Sequence, residues 1–214
     1  MPEQPPGQTP ATAAFKPVSS NDRIAGQLLT PHNCVFILID HQPKISSTVQ
    51  PPDEYLVGNV VRLAKAAKIF RVPVILTSVA AKTFSGPIIQ DIVDAVPNHA
   101  VIERTSMNCW EDDRFVSAVE TIGRRKLVMA GLWTEISLCM PALCALEEGY
   151  EVYAVEDASA GTSAAAHEMA MRRMIQAGVV PVTSMQVLLE LQRDWARTAT
   201  LDAVTKTARF NDAT

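Results

Sequence analysis

Three residues at three places in this 214-residue chain could together carry acid–base and nucleophilic chemistry. Asp40 closes the apolar run CVFILI and is followed by His41 and Gln42. A carboxylate at the end of a buried strand can have its pKa raised and then give or take a proton. Arg104 follows the short stretch AVIE. A fixed cation there could hold Asp40 ionised, lower the pKa of a nucleophile or grip an anionic substrate. Ser137 lies in AGLWTEISLC, where an apolar strand turns into a helix. Backbone N–H groups and the helix dipole favour an anion at such a turn. A cysteine in that setting is activated; a serine gains less and needs a positioned base. By residue type alone each also has a plain reading: Asp40 as a cap or loop residue, Arg104 as a surface cation, Ser137 as a helix cap.

Cys139, two residues after Ser137, cannot share its helix face. Cys144 shares that face but lies about 10 Å deeper. These two, with Cys34 and Cys109, read as small buried apolar residues, and none form a CxxC pair. The four histidines are scattered; His41 alone falls beside a candidate residue, and its expected role is structural. Standard signals for a serine elbow, a dinucleotide loop, a phosphate loop or a HExxH metal helix are missing.

The elements that must position these residues alternate along the chain. Apolar strand-like runs stand at 34–39, 72–79, 100–102, 127–130, 152–155 and 179–182. Helical spacing of apolar residues marks 54–70, 88–96, 113–122, 134–148, 163–177 and 185–196. The segment from about Arg197 shows no strong period. This rhythm predicts an α/β fold with a central, mostly parallel six-stranded sheet and helices on both faces. Right-handed crossovers bring the strands' C-terminal ends to one edge, where ligands bind. The residues just beyond the strands are Asp40, Thr77, Ser78, Arg104, the 131–137 turn and Asp157.

Composition is 48% hydrophobic and 20% charged with a net charge of −4, which suits one globular domain without the basic face of a nucleic-acid binder. No apolar run approaches the roughly 18 residues of a membrane span. The expected organisation is a polar, Pro-rich N-terminal tail over 1–28, one domain over 29–200 and a C-terminal tail over 201–214. A cytoplasmic location is expected from the thiols and the polar start.

With these residues collected, the chain resembles the isochorismatase-like hydrolase superfamily, and within it the oligomeric bacterial cysteine-hydrolase branch. The matching segments are FILIDHQ, VPVILTS, IERTSMNCWED, AGLWTEISLCMPALCALEEGYEVYAVEDASAGTS and QAGVVPVTSMQVLLELQRDWA. The resemblance implies a three-layer α/β/α, Rossmann-like fold and a triad of Asp, Lys or Arg, and Cys, falling on Asp40, Arg104 and Ser137. It implies a cis peptide at Leu132–Trp133 and an oxyanion site at the N–H groups of Trp133 and Ser137. Gln42, Phe84, Asn108 and Trp110, with Trp133, would line the pocket. A small-molecule substrate and a homo-oligomer are implied, with no cofactor and no catalytic metal. Serine in the cysteine seat admits three readings: an engineered replacement, a natural member with weak or no amidase-type activity, or an Asp-dependent vinyl-ether hydrolase that needs no covalent step. A non-catalytic binding or assembly member is the alternative, its mark being a pocket plugged by Trp110 or Phe84.

Overall fold

The computed structural model describes residue 26 and residues 28–50, 55–96 and 99–208. In chain order the elements are β1 (Cys34–Ile39), α1 (Leu56–Phe70), β2 (Val74–Val79), α2 (Gln90–Ala95), β3 (Val101–Arg104), α3 (Asp113–Ile122), β4 (Lys126–Gly131), α4 (Cys139–Glu147), β5 (Glu151–Val155), α5 (Ala164–Ala177), β6 (Val180–Val182), α6 (Ser184–Gln192) and α7 (Thr198–Ala208). The strands form one six-stranded sheet in the order β3-β2-β1-β4-β5-β6, and every pair is parallel.

All six residues of β1 and of β4 are buried, because helices cover both faces of the sheet. Alternate strand residues feed two cores. Phe36, Leu38, Leu76 and Val128 pack with α1, α2, α6 and α7 on one face. Ile37, Ile39, Leu127 and Met129 pack with α3, α4 and α5 on the other. The strand order reverses between β1 and β4, and in sheets of this kind ligands bind outside the C-terminal ends of the strands at such a point.

Most boundaries agree with the apolar pattern to within two residues. Strand β2 starts at Val74 because Val72 gives its N–H to Ala67 at the end of α1, and Pro73 has no N–H to give. Residues 134–148 are not one α-helix. Thr134–Leu138 form a π-helical turn, and α4 begins at Cys139. Pro141 lacks the N–H that would bond the Ser137 carbonyl, so an unbroken α-helical ladder cannot run through this point.

The segment from Arg197, read as aperiodic and placed from 201 in a tail, is helical as α7 up to Ala208. It packs on α1 and α6 and buries Val204 and Thr207. Its sequence TATLDAVTKTA carries few large apolar residues, so the period is faint although one face is covered. The expected start of α1 at Glu54, most of the N-terminal tail 1–28 and residues 209–214 lie outside the described residues.

If α7 seals the α1 face, Val204→Ala lowers the unfolding free energy by about 1–3 kcal/mol in urea titrations, the transfer and cavity cost of a buried side chain. A change within about 0.5 kcal/mol would show that this helix is not part of the cooperative core.

Candidate active site

Asp40, Arg104 and Ser137 meet at the edge where the strand order reverses. Asp40 follows β1 directly, in left-handed backbone with φ 59°. A non-glycine residue seldom adopts this conformation, and functional sites are where it recurs. Its N–H still pairs with the Thr77 carbonyl at 2.9 Å, so the side chain is fixed to the sheet edge. Arg104 ends β3, two strands away, and its Nη2 donates to Asp40 Oδ2 at 2.6 Å. Both side chains are 0% exposed. Ser137 comes from the turn after β4, and its Oγ donates to the same Oδ2 at 2.7 Å.

The rest of the guanidinium is held by its own loop, Nη1 donating to the carbonyls of Ser106 and Met107. Asp40 Oδ1 and Arg104 Nε are buried without a hydrogen-bond partner among the described residues. Burial pushes the Asp40 carboxyl above the usual carboxylate range, against the opposing pull of Arg104 and the hydrogen bond from Ser137. The triad therefore holds a carboxyl able to carry a proton, a fixed cation and a hydroxyl already aimed at the carboxyl.

The turn after β4 contains a cis peptide between Leu132 and Trp133. The two amides expected as oxyanion donors differ. Ser137 gives its N–H to the Trp133 carbonyl at 2.8 Å, within its own turn. The Trp133 N–H has no hydrogen-bond partner among the described residues. Leu132 is fully buried, and the Trp133 indole donates to Thr48 Oγ1 at 2.9 Å.

The residues expected to line a pocket make the following contacts. Gln42 is buried, and its amide accepts from Val79 N–H and donates to the carbonyls of Val79 and Gly86. It staples the end of β1 to the end of β2 and has no donor to spare. Asn108 caps the following turn by accepting the Trp110 N–H at 3.1 Å. Trp110 packs edge-on against Phe115 and Tyr150 and donates to Glu148, within the core under α3 and α4. Phe84 is 54% exposed, with the Lys44 ammonium 5.9 Å from its ring centre. No hydrogen bond or ring contact among the described residues joins Phe84 or Trp110 to the triad. Asp157 accepts from the N–H and hydroxyl of Ser184 at the start of α6.

Cys139 is buried in the core under α4, and burial raises its thiol pKa. Burial likewise raises Cys109. Cys144 is half-buried, with Sγ 3.6 Å from the Asn108 amide nitrogen. None of these thiols contacts Asp40 through a hydrogen bond. Among the described residues no cluster of three or more His, Cys, Asp or Glu side chains is placed to hold a metal ion, and no helix is long and apolar enough to cross a membrane.

Sequence reasoning missed the support beneath the turn. The Thr134 N–H donates to the Ala160 carbonyl, the Thr134 hydroxyl meets His167 Nδ1 at 2.8 Å, and Glu135 accepts from Thr162. The available signal was the run DASAGTS, small polar residues leaving β5 at the same sheet edge as the triad.

His41 is buried; its Nε2 lies 2.9 Å from the Ala158 carbonyl and must be the protonated nitrogen, while Nδ1 has no partner among the described residues. Burial pushes its pKa down from 6.5 to about 4. The unfolded chain then binds this proton more readily than the fold. The stability from His41 is complete above about 6.5 and is lost as the pH falls toward about 4. Asp40 acts in the opposite sense, since a raised carboxyl favours the fold on acidification. Comparison with His41→Gln separates the two. The stability advantage over that variant, measured by denaturant titration, shrinks on going from neutral pH to about pH 4 by roughly 2–3 kcal/mol. A pH-independent difference would refute the buried neutral imidazole.

With the fold and this geometry in hand, comparison with known proteins places the chain. Residues 34–186 match the isochorismatase domain. The chain is 35% identical over 170 residues to "Probable hydrolase YcaC" of Escherichia coli (strain K12), covering 78% of this chain and 81% of that one. The crystal structure of the Escherichia coli YcaC gene product, described as an octameric hydrolase of unknown specificity, superposes with a TM-score of 0.81 at 32% identity, covering 91% of this chain and 93% of that one. YcaC from Pseudomonas aeruginosa, solved with hexane-2,5-diol and covalent acrylamide, gives 0.78 at 30% identity over 85% of this chain and 95% of the other. The chain carrying the Asp40–Arg104–Ser137 arrangement belongs to the isochorismatase family.

Proposed function

We propose that this protein is a cytoplasmic, homo-oligomeric hydrolase of a small amide, ester or related substrate, with Asp40, Arg104 and Ser137 as its catalytic set and Ser137 in the seat of the family cysteine. The observation that carries this is the single carboxylate oxygen, Asp40 Oδ2, shared by Ser137 Oγ at 2.7 Å and Arg104 Nη2 at 2.6 Å. In an acyl transfer at this site, the Ser137 oxygen bonds to the substrate carbonyl carbon while its proton passes to Asp40. The proton then goes to the leaving amine or alcohol as its bond to carbon breaks, and water releases the acid from the ester. Arg104 keeps a charge beside the carboxylate throughout, and the Trp133 N–H is the amide free to meet the developing oxyanion. A serine hydroxyl is a far weaker nucleophile than a thiolate at the same place, so turnover would be slow. The octameric Escherichia coli relative supports the homo-oligomer.

A second reading keeps Asp40 and drops the covalent step. Burial raises the Asp40 carboxyl, which suits an acid that protonates an enol ether while water adds to the resulting cation. Ser137 would then only orient the carboxyl. The plugged-pocket alternative has no support from Phe84, which is on the surface, or from Trp110, which packs in the core.

Ser137→Cys separates these readings. Acrylamide and iodoacetamide add to thiolates, and a relative has been solved with covalent acrylamide. The expected result at neutral pH is rapid stoichiometric labelling, with the label found by peptide mass at position 137 in the variant alone. Rapid labelling of Cys139 in the unmutated protein would make that thiol the nucleophile and end the proposal. Slow labelling of both would leave the Asp40-acid reading. In the Ser137→Cys protein, adding Asp40→Asn should slow labelling by about 100-fold, the size of a lost general base. An unchanged rate would remove Asp40 from the chemistry.

A further inference from the structure

Ser137 can sit 2.7 Å from Asp40 only if the turn that carries it is held still, and that turn contains a carboxylate with no part in the triad. Glu135 reaches across to the loop after β5, where its Oε1 accepts from the Thr162 N–H at 3.0 Å and the Thr162 hydroxyl at 2.6 Å. Its Oε2 is buried with no partner among the described residues. We propose that Glu135 is a positioning residue that clamps the 131–138 turn to the 159–163 loop, and that residue 161 is glycine because the clamp and the α5 backbone together leave no room for a Cβ. This rests on the reading of Ser137 as the nucleophile's seat.

The spacing around Gly161 carries the second half of the inference. A Cβ built there would lie 2.8 Å from Glu135 Oε2, 2.8 Å from the His167 backbone nitrogen and 3.1 Å from the His167 Cα. Two of these neighbours are backbone of α5, which cannot swing aside. The backbone of Gly161 is not left-handed, so space rather than torsion demands glycine. The Gly161 carbonyl accepts the Gln50 N–H at 3.1 Å, which ties the loop to the segment after β1 as well.

The neighbours of Glu135 run in the same direction. Gly131 N–H donates to Ser159 Oγ at 3.1 Å, Leu132 forms a parallel bridge with Ala160, and Thr134 N–H donates to the Ala160 carbonyl at 3.0 Å. The Thr134 hydroxyl pairs with His167 Nδ1 at 2.8 Å. Glu135 adds the charged contact at the far end of this series, two residues before Ser137. Hydrogen bonds to an ionised acceptor are stronger than neutral ones, so Glu135 adds to the hold that the other ties give the turn.

The test uses the full chain and two readouts. Amide hydrogen exchange followed by mass spectrometry, with Ser137 intact, reads the clamp itself. Glu135→Ala should speed exchange of the 131–138 peptide at least about tenfold while the β1 and β2 peptides are unchanged. Glu135→Gln, which keeps an acceptor oxygen, should recover most of the protection. Labelling of position 137 in the Ser137→Cys background reads the consequence. Glu135→Ala should slow it about tenfold at a similar melting temperature, with Glu135→Gln close to the parent, whereas Gly161→Ala should lower the melting temperature, because its Cβ meets the α5 backbone. Unchanged exchange in Glu135→Ala, or equal loosening of every peptide, overturns the clamp. Faster exchange with unchanged labelling overturns the positioning role. If the parent Ser137→Cys is itself inert, the nucleophile seat fails separately, and exchange of the Ser137 amide decides the clamp.

Discussion

A guanidinium and a carboxylate sealed from water, each at 0% side-chain exposure, set the terms for the rest of this site. Neither charge is tolerable there alone, because an unpaired buried ion costs several kcal/mol. Asp40 therefore needs Arg104, and Arg104 needs the carbonyls of Ser106 and Met107 to occupy its other nitrogen. The strand order explains why the partner is so long. β3 and β1 are separated by β2, so the cation must span about 9.5 Å of sheet to reach the carboxylate. The Thr77 hydroxyl on β2 turns to the Ile102 carbonyl and keeps clear of that path. Ser137 arrives from β4, on the opposite side of β1, so the three side chains converge on the central strand from both directions.

The pairing is also lopsided. Arg104 and Ser137 both use Asp40 Oδ2, and Oδ1 is buried without a partner among the described residues. A carboxylate gripped evenly at both oxygens would hold its charge firmly and resist protonation. Here both hydrogen bonds fall on a single oxygen, and desolvation, which favours the neutral form, outweighs Arg104, Ser137 and the nearby Val79 amide, which favour the charge. That asymmetry is common ground for the covalent reading and the Asp-acid reading. The difference between them lies at one atom, the Oγ of Ser137, and in how easily it gives up hydrogen.

Much of this is legible in the amino-acid sequence. Continuous apolar runs named the central strands, because a parallel sheet covered on both faces leaves no polar positions to blur them; the edge strands β3 and β6 are partly exposed and left only short runs. The rule that ligands gather at the carboxyl ends then put Asp40, Arg104 and the 131–137 turn among the candidates, with Thr77, Ser78 and Asp157, and the family resemblance singled out Asp40, Arg104 and Ser137. What the sequence does not contain is the set of long-range partners beyond the strands. Trp110 follows β3 as closely as a pocket residue would, yet its indole finds Glu148, Phe115 and Tyr150 on the core side. Gln42 neighbours Asp40 in sequence but spends its amide on Val79 and Gly86. Long-range acceptors decide such orientations, and sequence spacing does not contain them. The short helix α7 hid for a different reason, since Ala and Thr leave almost no periodic contrast even when a Val is fully buried.

The turn after β4 shows how a site can be specified by what surrounds it. Its π-helical register, the interruption at Pro141 and the ties to the 159–163 loop all fix where residue 137 stands, and none involves the side chain of residue 137. Serine and cysteine differ by one atom of similar reach, so exchanging them leaves this framework in place. The thiol two residues on cannot substitute, because the same framework buries Cys139 in the core beneath α4 and burial raises its pKa. A chain with this architecture thus keeps an acid–cation pair and an aimed hydroxyl poised together whichever chemistry they perform. On the covalent reading, the strength of the nucleophile is set by the identity of a single atom, while its position is set by the fold.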